Sequence, residues 1–375
     1  MIYFDNAATG GYKPIKVTES VLNAVKFLNA NAGRSGHRLS LQAAEIVYET
    51  RKILSRLFSV GSPERVVFTY NCTDALNKVI LGSVREKCGV ITTVTEHNSV
   101  LRPLYFLRNK GLIDLTVVQP KGSAISASDI ESTIDENTKM VVLNAVSNVT
   151  GAENDIEGVG KLLEKKNILF IVDGAQAAGH KRISLKENGI DALCVAGHKG
   201  LAAIQGAGAL MLGEKIKVAP TVFGGTGMDS FNENMPDNYP ERLEAGTVAL
   251  PAISSLKAGA EYVFKNLPYI SSKIFSLTEF LIENLAIRPY LRLYSIPNPC
   301  GIVAFSHAEI PSQKLSEILS DNYDVAVRGG YHCAPLMHRF LKTEKFGLVR
   351  CSLSENNTKR EISAFIRALD EISNF

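Results

Sequence analysis

Two short apolar runs end in residues whose pairing suits amine chemistry. The run 168–172 leads into Asp173, and the run 192–196 leads into Gly197, His198 and Lys199. A lysine just past a buried strand is desolvated, which lowers its pKa and frees an amine for Schiff-base formation. A carboxylate at a strand end can pair with a protonated ring nitrogen and keep the ring an electron sink. Taken singly, Lys199 reads as a loop lysine and Asp173 as a helix N-cap. Together they meet both needs of a pyridoxal phosphate enzyme, an amine that holds the aldehyde as an imine and an acid that faces the ring nitrogen.

The phosphate of such a cofactor needs donors. Asn71-Cys72-Thr73-Asp74 stands where a strand turns into a helix, so backbone N–H groups and the Thr73 hydroxyl can hold an anion there. His97, just beyond the run 90–95, can stack on a planar ring.

These residues have to be gathered by the elements that carry them. Short β-rich apolar runs at 66–69, 90–95, 114–118, 140–146, 168–172 and 192–196 alternate with helical segments. That alternation predicts a mainly parallel sheet wrapped by helices. Helices are expected over 39–58, with Leu41, Ala44, Val47, Tyr48 and Arg51 on one face, over 75–86 with Thr73 or Asp74 as cap, and over 98–110 and 128–134. Open parallel sheets bind ligands at the carboxyl ends of their strands. Five runs here end in polar residues able to do chemistry: Asn71-Cys72-Thr73, Glu96-His97, Ser147-Asn148, Asp173 and His198-Lys199. Past Pro251 the texture changes. Two helical stretches, 253–266 and 271–285, precede more widely spaced strands at 301–305, 325–327 and 348–352, which predicts a second, smaller α+β domain.

Composition narrows the function class. The 375 residues carry a net charge of +3, too near neutrality for a chain whose main work is gripping nucleic acid or an anionic membrane. Six cysteines form no CxxC or Cys/His cluster, so a disulfide framework and a metal site are not expected, and free thiols in a reducing, cytoplasmic setting are. Apolar runs fall far short of the ~20 residues that span a bilayer.

The chain resembles the cysteine desulfurase and selenocysteine lyase family, within the class V aminotransferases of pyridoxal phosphate fold type I. The resemblance runs nearly end to end, through Tyr3-Phe-Asp-Asn-Ala-Ala-Thr9, Thr95-Glu-His97, Val146-Ser-Asn148, Val172-Asp-Gly-Ala-Gln176, Gly197-His-Lys199, Glu244-Ala-Gly-Thr247, Arg328-Gly-Gly-Tyr-His-Cys-Ala-Pro335 and Arg350-Cys-Ser. It implies an α/β fold: a large domain, residues 15–250, around a mainly parallel seven-stranded sheet, and a small α+β domain of residues 1–14 and 251–375. It implies pyridoxal 5'-phosphate on Lys199, with Asp173 at the ring nitrogen, Gln176 at the phenolic oxygen and His97 stacked over the ring and assisting protonation. Asn148 would contact cofactor or substrate. Thr73 and His198 would bind the phosphate, joined by Thr247 from the second subunit of a homodimer, and Cys72 would be among the cofactor-binding residues. Arg350 would clamp the substrate carboxylate in bidentate fashion, with Arg328 near it.

Cys333 separates a lyase from an aminotransferase. It would take sulfur or selenium from L-cysteine or L-selenocysteine, leave L-alanine and pass its load to an acceptor protein. His332 or Arg328 can raise its thiolate fraction, and Gly329-Gly330 reads as a loop that bends. The short interval from Cys333 to Arg350 resembles the compact-loop branch. Residue 196 is alanine where the family usually carries a serine or threonine on the phosphate. Two other readings stand beside this one. The first is an aminotransferase or racemase that ignores Cys333. The second is a non-catalytic dimeric scaffold with a vestigial site.

Overall fold

The computed structural model describes residues 1–373. Seven strands form the central sheet in the order Val66–Thr69, Gly208–Leu212, Ala192–Ala196, Leu169–Asp173, Thr138–Asn144, Cys88–Thr93, Ile113–Val118. All run parallel except Gly208–Leu212, which pairs antiparallel with both neighbours. That strand was not expected from sequence. It returns from Ala196 through a connection too short for a parallel crossover, so antiparallel pairing is the geometry open to it. Strands buried on both faces read as continuous apolar runs, and 140–143 and 170–172 are wholly buried. Two of the expected strands end two residues earlier than predicted, at Thr93 and Asn144, which frees the following polar residues for the cavity rim.

The helix expected over 75–86 runs Cys72–Ser83 and is capped by Asn71, whose side chain accepts from Asp74 N at 2.9 Å. The helix over 39–58 forms as Arg38–Phe58 and buries only part of the predicted face, with Arg51 buried and Val47 packed against the core. Ala43, Thr50, Leu54 and Phe58 are buried, whereas Leu41 and Tyr48 are exposed. The helix is apolar on two sides, and periodicity alone does not tell which side meets the sheet. Helices Ile15–Phe27, Ile156–Lys166, Ser312–Tyr323, Pro335–Leu341 and Lys359–Ser373 lay outside the predicted set.

The two helical stretches expected after Pro251 are one helix, Leu250–Ala286, with Pro268 inside it. An internal proline forfeits one backbone bond; packing on both sides of it keeps the helix whole. Leu256, Val263 and Ile270 belong to the core of the large sheet, and Leu277, Leu281 and Leu285 to a second apolar core. That second core lies against a four-stranded antiparallel sheet ordered Arg328–Gly330, Leu348–Ser352, Ile302–His307, Leu291–Leu293. The N-terminal strand Ile2–Tyr3 pairs with Val325–Ala326, and so carries Asp5 to the strand that bears Arg350. No helix among the described residues is long and apolar enough to cross a membrane.

Candidate active site

The carboxyl ends of the sheet strands surround a recess. The start of the Cys72–Ser83 helix contributes Cys72 and Thr73, and strand ends contribute Asp173 and Lys199. His97, Asn148, Gln176 and His198 complete the group, so eight of the residues singled out in the sequence line one cavity. Ala196 forms part of the wall with no polar side chain to offer.

Local chemistry sets each side chain. Asp173 Oδ1 accepts from Ala175 N at 2.9 Å and from the Cys72 thiol at 3.3 Å. Cys72 turns its side chain to the carboxylate on the wall of the recess; burial, and then the charge of Asp173, keep it a thiol. The amine of Lys199 has no hydrogen-bond or ionic partner among the described residues, and burial pulls its pKa down. His97 caps the Asn98–Asn109 helix, with Nδ1 accepting from Ser99 N at 3.0 Å. A backbone N–H only donates, so the neutral ring carries its proton on Nε2, and burial lowers its pKa. His198 bonds Thr9 through Nδ1, and burial lowers it to about 4. Gln176 donates to Ala7 O at 3.2 Å.

Cys333 is exposed at the edge of an adjoining groove that shares Thr73, His97 and Ser99 with the recess. Gly329 and Gly330 are not a free loop: they lie in the strand Arg328–Gly330, paired with Val349 and Leu348. A Cβ on Gly329 would come within 2.4 Å of Ser312 O, so close packing explains that glycine. The bend falls instead at His332 and Cys333, which take left-handed φ of 49° and 57°. Asn148 Nδ2 donates to His332 O at 2.7 Å and Asn98 N to Cys333 O at 2.7 Å, pinning the turn. His332 does not aid the thiol as a cation, because burial drives its pKa well below the usual histidine value. Arg328 Nη2, at 4.0 Å from Cys333 Sγ, is the cation beside it.

Arg350 is buried, donating from Nη1 to Asn148 O at 3.0 Å and from Nη2 to Asp5 Oδ1 at 3.1 Å. Its Nε and Asn148 Oδ1 are buried without partners. Asp5, which holds Arg350 in place, had no role in the sequence reading, although it stands inside the Tyr3–Thr9 motif. Thr247 lies outside the recess of its own chain, in a separate groove with Val222 and Leu243. An unpartnered amine, a carboxylate and the orphaned Asn148 Oδ1 around one recess fit a ligand with an aldehyde, a ring nitrogen and further polar atoms.

The profile of the family described as Aminotransferase class-V matches residues 2–365. The chain belongs to the class V aminotransferase family. Among its relatives in that family is a probable cysteine desulfurase of Synechocystis sp., 31% identical, with 100% of this chain and 91% of that protein covered. A probable cysteine desulfurase of Methanothermobacter thermautotrophicus is 29% identical, covering 99% and 94%. Among solved structures of class V similarity, the apo cysteine desulfurase of Thermococcus onnurineus NA1 matches with a TM-score of 0.89 at 30% identity, over 99% of this chain and 94% of that one. The cysteine desulfurase of Escherichia coli, at 24% identity, shares the fold with a TM-score of 0.90, covering 99% and 94%.

Proposed function

We propose that the protein is a pyridoxal phosphate-dependent lyase that removes sulfur from L-cysteine and releases L-alanine, with Cys333 as sulfur acceptor. The observation that carries this reading is the junction of two features: the Lys199–Asp173 recess and a cysteine-bearing groove that share His97, Ser99 and Thr73. Relatives named as cysteine desulfurases support it.

The cofactor, when bound, supplies an aldehyde for the amino group and an electron sink for the α-carbon. Lys199 would hold it, Asp173 would face its ring nitrogen, Gln176 and Asn148 its polar edge, and Thr73 with His198 its phosphate. Arg350 would receive the substrate carboxylate on its free Nε and on an Nη released from Asp5 or Asn148. The Lys199 amine would take the α-proton at Nζ, and His97 would present a proton on Nε2. The Cys333 thiolate, paired with Arg328, attacks the substrate sulfur. An S–S bond forms as the C–S bond breaks, and protonation of the β-carbon completes alanine. The persulfide then passes to an acceptor thiol, and a reducing, cytoplasmic setting suits a chain of free cysteines.

Residues 15–250 would carry the cofactor, and residues 1–14 with 251–375 the cysteine turn and the substrate arginine. A homodimer belongs to the reading. Thr247 faces a groove of its own, and Phe223, Met228 and Phe231 of the segment leading to it are exposed apolar side chains that a second copy would cover. The test is borohydride reduction of protein incubated with pyridoxal phosphate, together with alanine release from cysteine without any keto acid. A pyridoxyl group on Lys199 and alanine matched by sulfide are expected; an unmodified Lys199 would refute the assignment.

A further inference from the structure

Glu96 is a carboxyl that the chemistry above leaves unused. It immediately precedes His97, is wholly buried, and sits behind the cavity wall. Its Oε1 accepts from Thr93 Oγ1 at 2.8 Å and from Asn144 N at 3.0 Å. The paired register of strands Cys88–Thr93 and Thr138–Asn144 ends at Ile91 and Val141, and beyond it the Glu96 carboxyl answers the Asn144 amide. Asn144 lines the recess and stands directly beside Asp173 in the sheet. Asn154 supports it further, donating to its Oδ1 at 2.8 Å.

The second oxygen of Glu96, Oε2, is buried without a hydrogen-bond partner. A carboxylate there would be a charge with half its lone pairs unanswered, which burial penalises heavily. Around it Thr93, Thr95, Asn144 and Asn154 are uncharged, and His97 on its own turn is kept neutral by burial. The charged group facing it is Asp173, from the strand Leu169–Asp173, and its sign is the same. Burial first, and then that like charge, push the Glu96 carboxyl up to about 8.

We propose that Glu96 is a positioning residue, an uncharged acid that clasps the end of the Thr138–Asn144 strand and leaves the cavity-facing negative charge to Asp173. The role in holding the site rests on the function proposed above; the protonation state does not. Glu96→Gln keeps an acceptor for the Asn144 amide and cannot ionise, whereas Glu96→Ala removes the clasp.

The experiment compares thermal midpoints of the full chain from pH 4.5 to 9, wild type against Glu96→Gln, with no cofactor added. An acid whose folded pKa is raised loses stability progressively from its unfolded pKa of about 4.3 up to about 8, and none beyond. The wild-type midpoint is therefore expected to fall relative to Glu96→Gln across that span and to run parallel above it. Parallel profiles throughout would overturn the uncharged acid. Pyridoxal phosphate affinity, read by absorbance, is expected within about threefold of wild type for Glu96→Gln and about tenfold weaker for Glu96→Ala. Equal losses in both variants would overturn the clasp. A wild-type protein that binds no cofactor would refute the functional reading and leave the thermal comparison intact.

Discussion

At Cys333 the backbone sits in a conformation that L-residues avoid, two left-handed residues in succession, each costing on the order of 1 kcal/mol. Asn148 and Asn98 hold the turn there, so the thiol is presented at a set point beside Arg328. Sulfur removal should depend on that thiol. Cys333→Ala is expected to lower sulfide release from cysteine by about a thousandfold. Selenide release from selenocysteine should survive, since selenium is the better leaving atom; parallel product assays would check this. Arg350 works through planar, bidentate geometry. Arg350→Lys is expected to raise KM for cysteine by roughly tenfold with kcat less affected, as steady-state kinetics would reveal. Histidines 97, 180, 198, 332 and 338, buried or half-buried, all have pKa values lowered, chiefly by burial. Groups kept neutral by folding contribute stability that is present above the unfolded value of about 6.5 and is lost as pH falls through their folded values. The thermal midpoint should therefore fall as pH drops from 6.5 toward 4, and His198→Gln should make that fall shallower.

Among the elements, the strand Arg328–Gly330 transmits the position of Cys333 to the rest of the fold. It pairs with the strand that carries Arg350 and packs Gly329 against the Ser312 carbonyl. Gly329→Ala forces one of them to move. It is expected to cost about 1–3 kcal/mol of stability and to slow desulfuration more than it weakens cofactor binding. Calorimetry and absorbance titration of the same variant would separate the two effects. The Leu250–Ala286 helix has the opposite character, long and continuous through Pro268 because both apolar cores grip it.

For the whole molecule, the proposed homodimer is tested by asking whether a second chain completes the recess. A Lys199→Ala chain mixed with a Thr247→Ala chain should recover activity if Thr247 serves the partner. Half of the dimers are then mixed, each with one intact site, and about a quarter of wild-type activity returns. No recovery on mixing would mean that the threonine serves its own chain or none.

Much of this protein was legible in its residues alone. Lys199, Asp173 and His97 stand at the ends of apolar runs, where ligands of an open parallel sheet bind, and Cys333 stood out through its motif alone. The alternating runs likewise foretold the sheet, since strands covered on both faces must be apolar throughout. What only the tertiary structure decided were relations between distant segments: Cys72 turned to Asp173, Asp5 on Arg350, Glu96 on Asn144, and Gly329 in a strand. Each depends on how close two pieces of chain come after packing, and neither periodicity nor motif spacing contains that distance.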